Sequence, residues 1–172
     1  APTTGDYVFE LSGVGSMIGT YEFAAAGHAP GNNVYIVKHA DALILERAGE
    51  GTDTVKASVS YALGAGAAIE TLRTTSDKGK TAINLTGNEY DQTIVGNLGA
   101  NRIDGKGGAD SLFGKAGADT FIFSTPPGPG NVDTIQDYNA TYDTIAVDDA
   151  IFGGTVGALP AGAFAIGSAA TQ

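Results

Sequence analysis

The sequence predicts an all-β protein. Its centre reads as a parallel β-roll, a β-solenoid of nonapeptide repeats, with a flanking β-hairpin before it and a C-terminal cap after it. Three observations predict this class. A nine-residue pattern recurs four times in register between Gly87 and Ile122. Glycine supplies 26 of the 172 residues, a share about twice average usage, so many turns call for tight or left-handed backbone. Short β-branched and aromatic runs are separated by Gly, Asn and Asp, and no segment sustains a helical period.

The four lines are Gly87–Val95, Gly96–Asp104, Gly105–Phe113 and Gly114–Ile122. Position one is always Gly. Position four is Gly99, Gly108 and Gly117, with Tyr90 in the first line. Position six is Gln92, Asn101, Asp110 and Asp119, and position eight is Ile94, Ile103, Leu112 and Phe121. Each line therefore has a turn half and a short strand half, whose apolar middle residue faces inward. Two lines make one coil of eighteen residues. Stacking coils sets Gln92 beside Asp110 on one flank and Asn101 beside Asp119 on the other.

Along the chain, residues 1–30 read as an N-terminal cap, a hairpin of Tyr7–Leu11 and Thr20–Phe23. Residues 31–86 read as degenerate roll: a faint copy of the line, Ala48–Lys56, keeps Gly51, Asp53 and Val55 at positions four, six and eight. Around it lie the β-rich runs Val34–Val37, Ala42–Leu45 and Ala68–Leu72. The regular roll occupies 87–123. Residues 124–172 read as a C-terminal cap, opened by the rigid break Thr125–Gly130 and carrying two further Asp-Thr-Ile triplets at Asp133 and Asp143. Ala158–Ala170 is too rich in Ala and Gly to assign. All four stretches form one continuous domain.

Charge narrows the function classes. Nineteen Asp and Glu against nine Lys and Arg give a net charge of −10, which repels nucleic acid and attracts cations. Cysteine is absent, which excludes disulfides, thiol catalysis and Cys-based zinc sites. No apolar run reaches the length of a membrane span. The first residues show no signal-peptide pattern, consistent with trimming or with export that reads no N-terminal signal. His28 and His39 lack the spacing of a zinc site, and Gly13–Gly19 is off register for a dinucleotide loop. No nucleophile elbow or other catalytic set is present, so the chain is expected not to be an enzyme.

The line chemistry points to calcium. Left-handed glycine turns aim carbonyl oxygens inward, and a position-six carboxylate adds a side-chain oxygen to the same pocket. Calcium takes six to eight such oxygens. With one small apolar side chain per line the core is thin, so ion binding and folding form one equilibrium.

The lines Gly105–Phe113 and Gly114–Ile122 resemble the nonapeptide G-G-x-G-x-D-x-U-x of the RTX, or haemolysin-type, calcium-binding proteins, with Lys106 and Lys115 in place of the second Gly. The resemblance extends faintly over Asn32 to Phe152. It implies the C-terminal region of a type I-secreted bacterial protein, located outside the cell or on its surface, that folds on meeting extracellular calcium. Relatives usually continue beyond the equivalent of Gln172, which implies a fragment. Several calcium ions are implied. The family's side-chain ligands fall on Asp110 and Asp119, with Asn101 as a weaker substitute; Gln92 has an arm that must fold back. Carbonyls of Gly96, Leu98, Gly105, Gly107, Gly114 and Ala116 are the implied backbone partners. Asp53 is assigned to an upstream site, and Asp133 with Asp137 to the closing one. Besides calcium, partners would be the type I secretion machinery. Two other functions remain open: a calcium-stabilised surface, adhesin or filament subunit that self-associates, and a carbohydrate-binding accessory module bridging an anionic polysaccharide.

Overall fold

A computed structural model describes residues 8–11 and 30–152. Twelve short strands follow one another: β1 (Val8–Leu11), β2 (Val34–Val37), β3 (Thr54–Ala57), β4 (Tyr61–Ala62), β5 (Thr71–Thr74), β6 (Leu85–Thr86), β7 (Thr93–Val95), β8 (Arg102–Asp104), β9 (Ser111–Phe113), β10 (Thr120–Phe123), β11 (Thr134–Ile135) and β12 (Thr144–Val147). One helical turn, α1 (Asp149–Phe152), ends the described chain. From β3 onward, alternate strands go to opposite sheets. One sheet has the order β1-β2-β3-β5-β7-β9-β11 and the other β12-β10-β8-β6-β4. Every strand pair is parallel, and the result is a β-solenoid of about six turns.

The register follows the nine-residue lines where they are regular. Thr93 stands beside Ser111, and Arg102 beside Thr120, each eighteen positions on. Elsewhere coil length varies, shorter by one where Thr54 stands beside Thr71 and longer where Thr71 stands beside Thr93 and Ser111 beside Thr134. The strands still align because extra residues loop out in turns such as 75–84 and 124–133, and loop closure grows costlier only slowly with length.

Inward residues form a ladder between the sheets. Leu72, Ile94 and Leu112 on one side and Leu85, Ile103 and Phe121 on the other are all 0% exposed. Each such side chain contributes about 1.5–3 kcal/mol by leaving water. The core is not uniform along the axis. Strands β2, β3 and β5 bury two residues each, Tyr35 with Val37, Val55 with Ala57, Leu72 with Thr74, whereas β7 and β9 bury one. The upstream coils are thus held by more apolar surface than the regular ones.

Three segments differ from the sequence reading or fall outside the description. Ala42–Leu45 is not a strand: only Ile44 is buried, while its neighbours Leu43 and Leu45 are exposed. Its backbone bonds to other groups instead, with the Tyr61 hydroxyl donating to Ala42 O at 2.7 Å and Ala42 N–H to His39 O at 3.3 Å. Of the N-terminal hairpin, Val8–Leu11 is seen adding to β2 as a parallel strand, and Thr20–Phe23 lies outside the described residues, as does Ala158–Ala170. After the break at Thr125–Gly130, β11 and β12 continue both sheets, so residues 124–147 form one more coil. Tyr138 from that coil meets Phe121 edge-on, centroids 6.3 Å apart.

Candidate metal centre

The residue just before each inward strand sits on a flank of the solenoid, and the flanks carry the functional side chains. On one flank Asn33, Asp53, Glu70, Gln92, Asp110 and Asp133 stack in successive coils, each directly preceding a strand of the larger sheet. On the other, Asn101, Asp119 and Asp143 precede β8, β10 and β12. A recurrent bond joins neighbours: the position-six carboxylate accepts the backbone N–H of its counterpart one coil earlier. Gln92 N–H donates to Asp110 Oδ1 at 2.7 Å, and Asn101 N–H to Asp119 Oδ1 at 2.8 Å. Asp110 N–H donates to Asp133 Oδ1 at 3.1 Å and Asp119 N–H to Asp143 Oδ1 at 2.9 Å. Asn33 N–H donates to Asp53 Oδ1 at 2.7 Å.

Those bonds occupy one oxygen of each acid. The second oxygens of Asp110 and Asp119 are buried without a hydrogen-bond partner, and they are the two such side-chain atoms among the described residues. Both residues are almost fully buried, at 2% and 1% exposure. An orphaned buried carboxylate oxygen is costly unless a cation completes it. The surrounding backbone leaves it room: a Cβ on Gly105 would collide with Asp110 Oδ2, and one on Gly114 with Asp119 Oδ2. The turns also hold left-handed backbone at positions two and four, at Lys106 (φ 71°) with Gly108 (φ 97°) and Lys115 (φ 78°) with Gly117 (φ 138°). Among the described residues no three His, Cys, Asp or Glu side chains converge on one point. An ion here draws most of its oxygens from carbonyls, as calcium readily does. The donor set fits calcium.

Burial is the first cause of the acids' altered protonation. It raises the Asp119 pKa to about 6, with repulsion from Asp143 and Asp137 adding to it. Asp110 is raised further by the same desolvation and by repulsion from Asp133, itself raised chiefly by burial. Asp53 is likewise raised by burial, then by Glu70 and Glu50.

The other sequence-selected residues fall in different settings. Asn101 is fully engaged: Oδ1 accepts Asn97 N–H at 2.8 Å, and Nδ2 donates to Ile83 O at 2.8 Å. Gln92 does fold back, its Oε1 accepting Asn88 N–H at 3.1 Å. Asp137 spends both oxygens capping the Gly114 turn, accepting Gly114 N–H and Lys115 N–H at 2.9 Å each. Gly96, Gly105 and Gly114 are buried beside the position-six side chains, and the Gly96 carbonyl accepts the Thr74 hydroxyl at 3.1 Å. Leu98 and Ala116 lie on the exposed part of their turns and Gly107 is half-buried. Asp53 stands apart from the regular lines, with Glu70 Oε2 accepting its N–H at 2.6 Å.

Sequence reasoning passed over Asn88, Asn97 and Glu46, and it noted Asp143 only for its Asp-Thr-Ile triplet. The signal for the first two was present, Asn at position two of both amide-bearing lines. Glu46, buried and bonded to the Tyr35 hydroxyl, has no counterpart in the repeat. Asp143 bonds two N–H groups, of Asp119 and, at 2.8 Å, of Asn139.

Residues 86–121 match the RTX calcium-binding nonapeptide repeat family, in four copies. No curated protein and no solved structure matches the chain.

Proposed function

We propose that this chain is a calcium-responsive folding module of an exported bacterial protein: its roll completes on meeting extracellular calcium and thereby supports secretion and stability. Residues 86–121 are RTX calcium-binding repeats, and the fold is a parallel β-roll. The observation that carries the reading is the pair of orphaned, buried oxygens on Asp110 and Asp119. Two buried carboxylates that repel neighbouring acids hold the coils that carry them open when no cation is present, because the thin core there cannot offset them. At free calcium ~100-fold above the dissociation constant, each site contributes about 2.7 kcal/mol. That is comparable with one buried core side chain per line.

In this proposal the chain has no catalytic step of its own, and its place is outside the cell or on its surface. Among the described residues no helix is long and apolar enough to cross a membrane. Export in an open state fits a fold whose closure waits for an ion that is scarce inside cells and abundant outside. The test is far-ultraviolet circular dichroism of chelated protein titrated with calcium chloride. A gain of β signal that chelator reverses is expected, and a spectrum indifferent to calcium would remove the proposal.

A further inference from the structure

The four lines share one sequence pattern, yet their turns close in two different ways. In the lines starting at Gly87 and Gly96, position two is Asn88 or Asn97, and neither they nor Tyr90 and Gly99 at position four take a left-handed backbone. Each Asn pairs with the amide at position six. Gln92 Nε2 donates to Asn88 Oδ1 at 2.7 Å, and Asn101 Nδ2 to Asn97 Oδ1 at 3.2 Å. Each Asn also reaches back one coil. Asn88 Nδ2 donates to Gly64 O at 2.9 Å and Ala67 O at 2.7 Å, and Asn97 Nδ2 to Thr81 O at 3.0 Å. Its Oδ1 accepts an N–H of its own turn, from Tyr90 at 3.2 Å or Gly99 at 2.8 Å. An amide NH2 thus gathers the neighbouring carbonyl oxygens, the task a cation performs in a calcium turn. Asn88, Gln92, Asn97 and Asn101 are all buried, and none of their side-chain polar atoms is buried without a partner.

In the lines starting at Gly105 and Gly114 that amide is missing. Position two is lysine, and its ammonium does not enter the turn. Lys106 Nζ bonds Ser124 Oγ at 2.8 Å and Asp104 Oδ2 at 3.0 Å, while Lys115 Nζ lies 5.4 Å from the Phe113 ring centroid. Neither lysine therefore neutralises the acid of its own line, and Asp110 and Asp119 keep their orphaned oxygens.

We propose that the Asn88–Gln92 and Asn97–Asn101 amide pairs are built-in substitutes for the ion. The four repeats then hold two calcium ions, one at Asp110 and one at Asp119 on opposite flanks, and calcium controls only the C-terminal half of the roll. This rests on the calcium reading above. The upstream half closes without metal and, stacked on the thicker core of β2, β3 and β5, serves as the template on which the calcium-dependent coils and the coil at 124–147 stack.

Two measurements on the full chain test it. Calorimetric titration of calcium into chelator-stripped protein should give two ions per chain, one in Asp110→Asn, one in Asp119→Asn, and three in Asn97→Lys/Asn101→Asp, which copies Lys115 and Asp119 around the existing Gly99. Hydrogen exchange in chelator should leave 71–104 protected and 105–147 open, with calcium protecting the latter alone. A count of four, a double variant that still binds two, or equal loss of protection in both halves overturns the inference while leaving calcium binding intact. A chain that takes up no calcium at all overturns the proposed function itself.

Discussion

Replacing Asp119 by Asn removes one buried negative charge while keeping the side chain's shape, and its effect should change sign with calcium. In the metal-free roll the acid stands at 1% exposure with one oxygen unpaired. Its pKa moves from the ordinary 3.8 to about 6. At about 1.4 kcal/mol per unit, holding it ionised at pH 7 costs the folded state roughly 3 kcal/mol. The amide removes that cost, but its new N–H needs an acceptor, and the Asn101 carbonyl one coil back already receives Thr120 N–H at 2.8 Å. Discounting for this leaves a net gain of about 1–2 kcal/mol in chelator. In a chain of this size the melting midpoint rises by about 2–8 °C. With calcium ~100-fold above its dissociation constant, wild type gains about 2.7 kcal/mol at this site and the variant does not. The order of stability therefore inverts. The assay is a thermal melt followed by circular dichroism at pH 7, in chelator and in calcium chloride. A variant that melts below wild type in chelator, or that calcium stabilises as strongly as wild type, refutes the reasoning.

Two further outcomes follow from the same geometry. The folded-state pKa of Asp119 is raised, so its contribution to metal-free stability is fully present below about pH 4 and lost as pH rises through about 6; Asp110 acts in the same direction. Calcium must displace that proton, so its apparent affinity should fall roughly tenfold for each pH unit below 6, and calorimetry at pH 7, 6 and 5 would read it; a flat profile contradicts the assignment. Gly105→Ala drives a Cβ into the Asp110 carboxylate, whose Cγ lies 2.9 Å from that point. It should cost about 1–3 kcal/mol and abolish one ion, whereas Gly128→Ala, with nothing within 4 Å, should stay within about 0.5 kcal/mol in urea unfolding.

Calcium and core divide the work unevenly along the solenoid axis. Upstream coils bury two inward residues per strand in β2, β3 and β5. The regular coils bury one in β7 and β9. A gradient of apolar burial is therefore crossed by a gradient of ion dependence, and a module of this kind can stay partly ordered while its terminal coils wait for the metal.

Much was legible from spacing alone. Gly at position one and an apolar residue at position eight of every line fix where a turn ends and which side chain points inward, because a three-residue strand has one inward position. Hence the 0% exposure of Ile94, Ile103, Leu112 and Phe121, and the stacking of Gln92 on Asp110 and of Asn101 on Asp119. Ala42–Leu45 misled because a run of β-forming residues has no pairing of its own; whether it becomes a strand depends on which carbonyls and hydroxyls its neighbours present. The sequence by itself determined the repeat, its period and the identity of the acids. Only the tertiary structure decided which acids have an oxygen left over. A hydrogen-bond partner eighteen or more residues away is invisible to a local pattern, so the saturation of Asn101 and the unpaired oxygen of buried Asp119 emerge only once the coils are stacked.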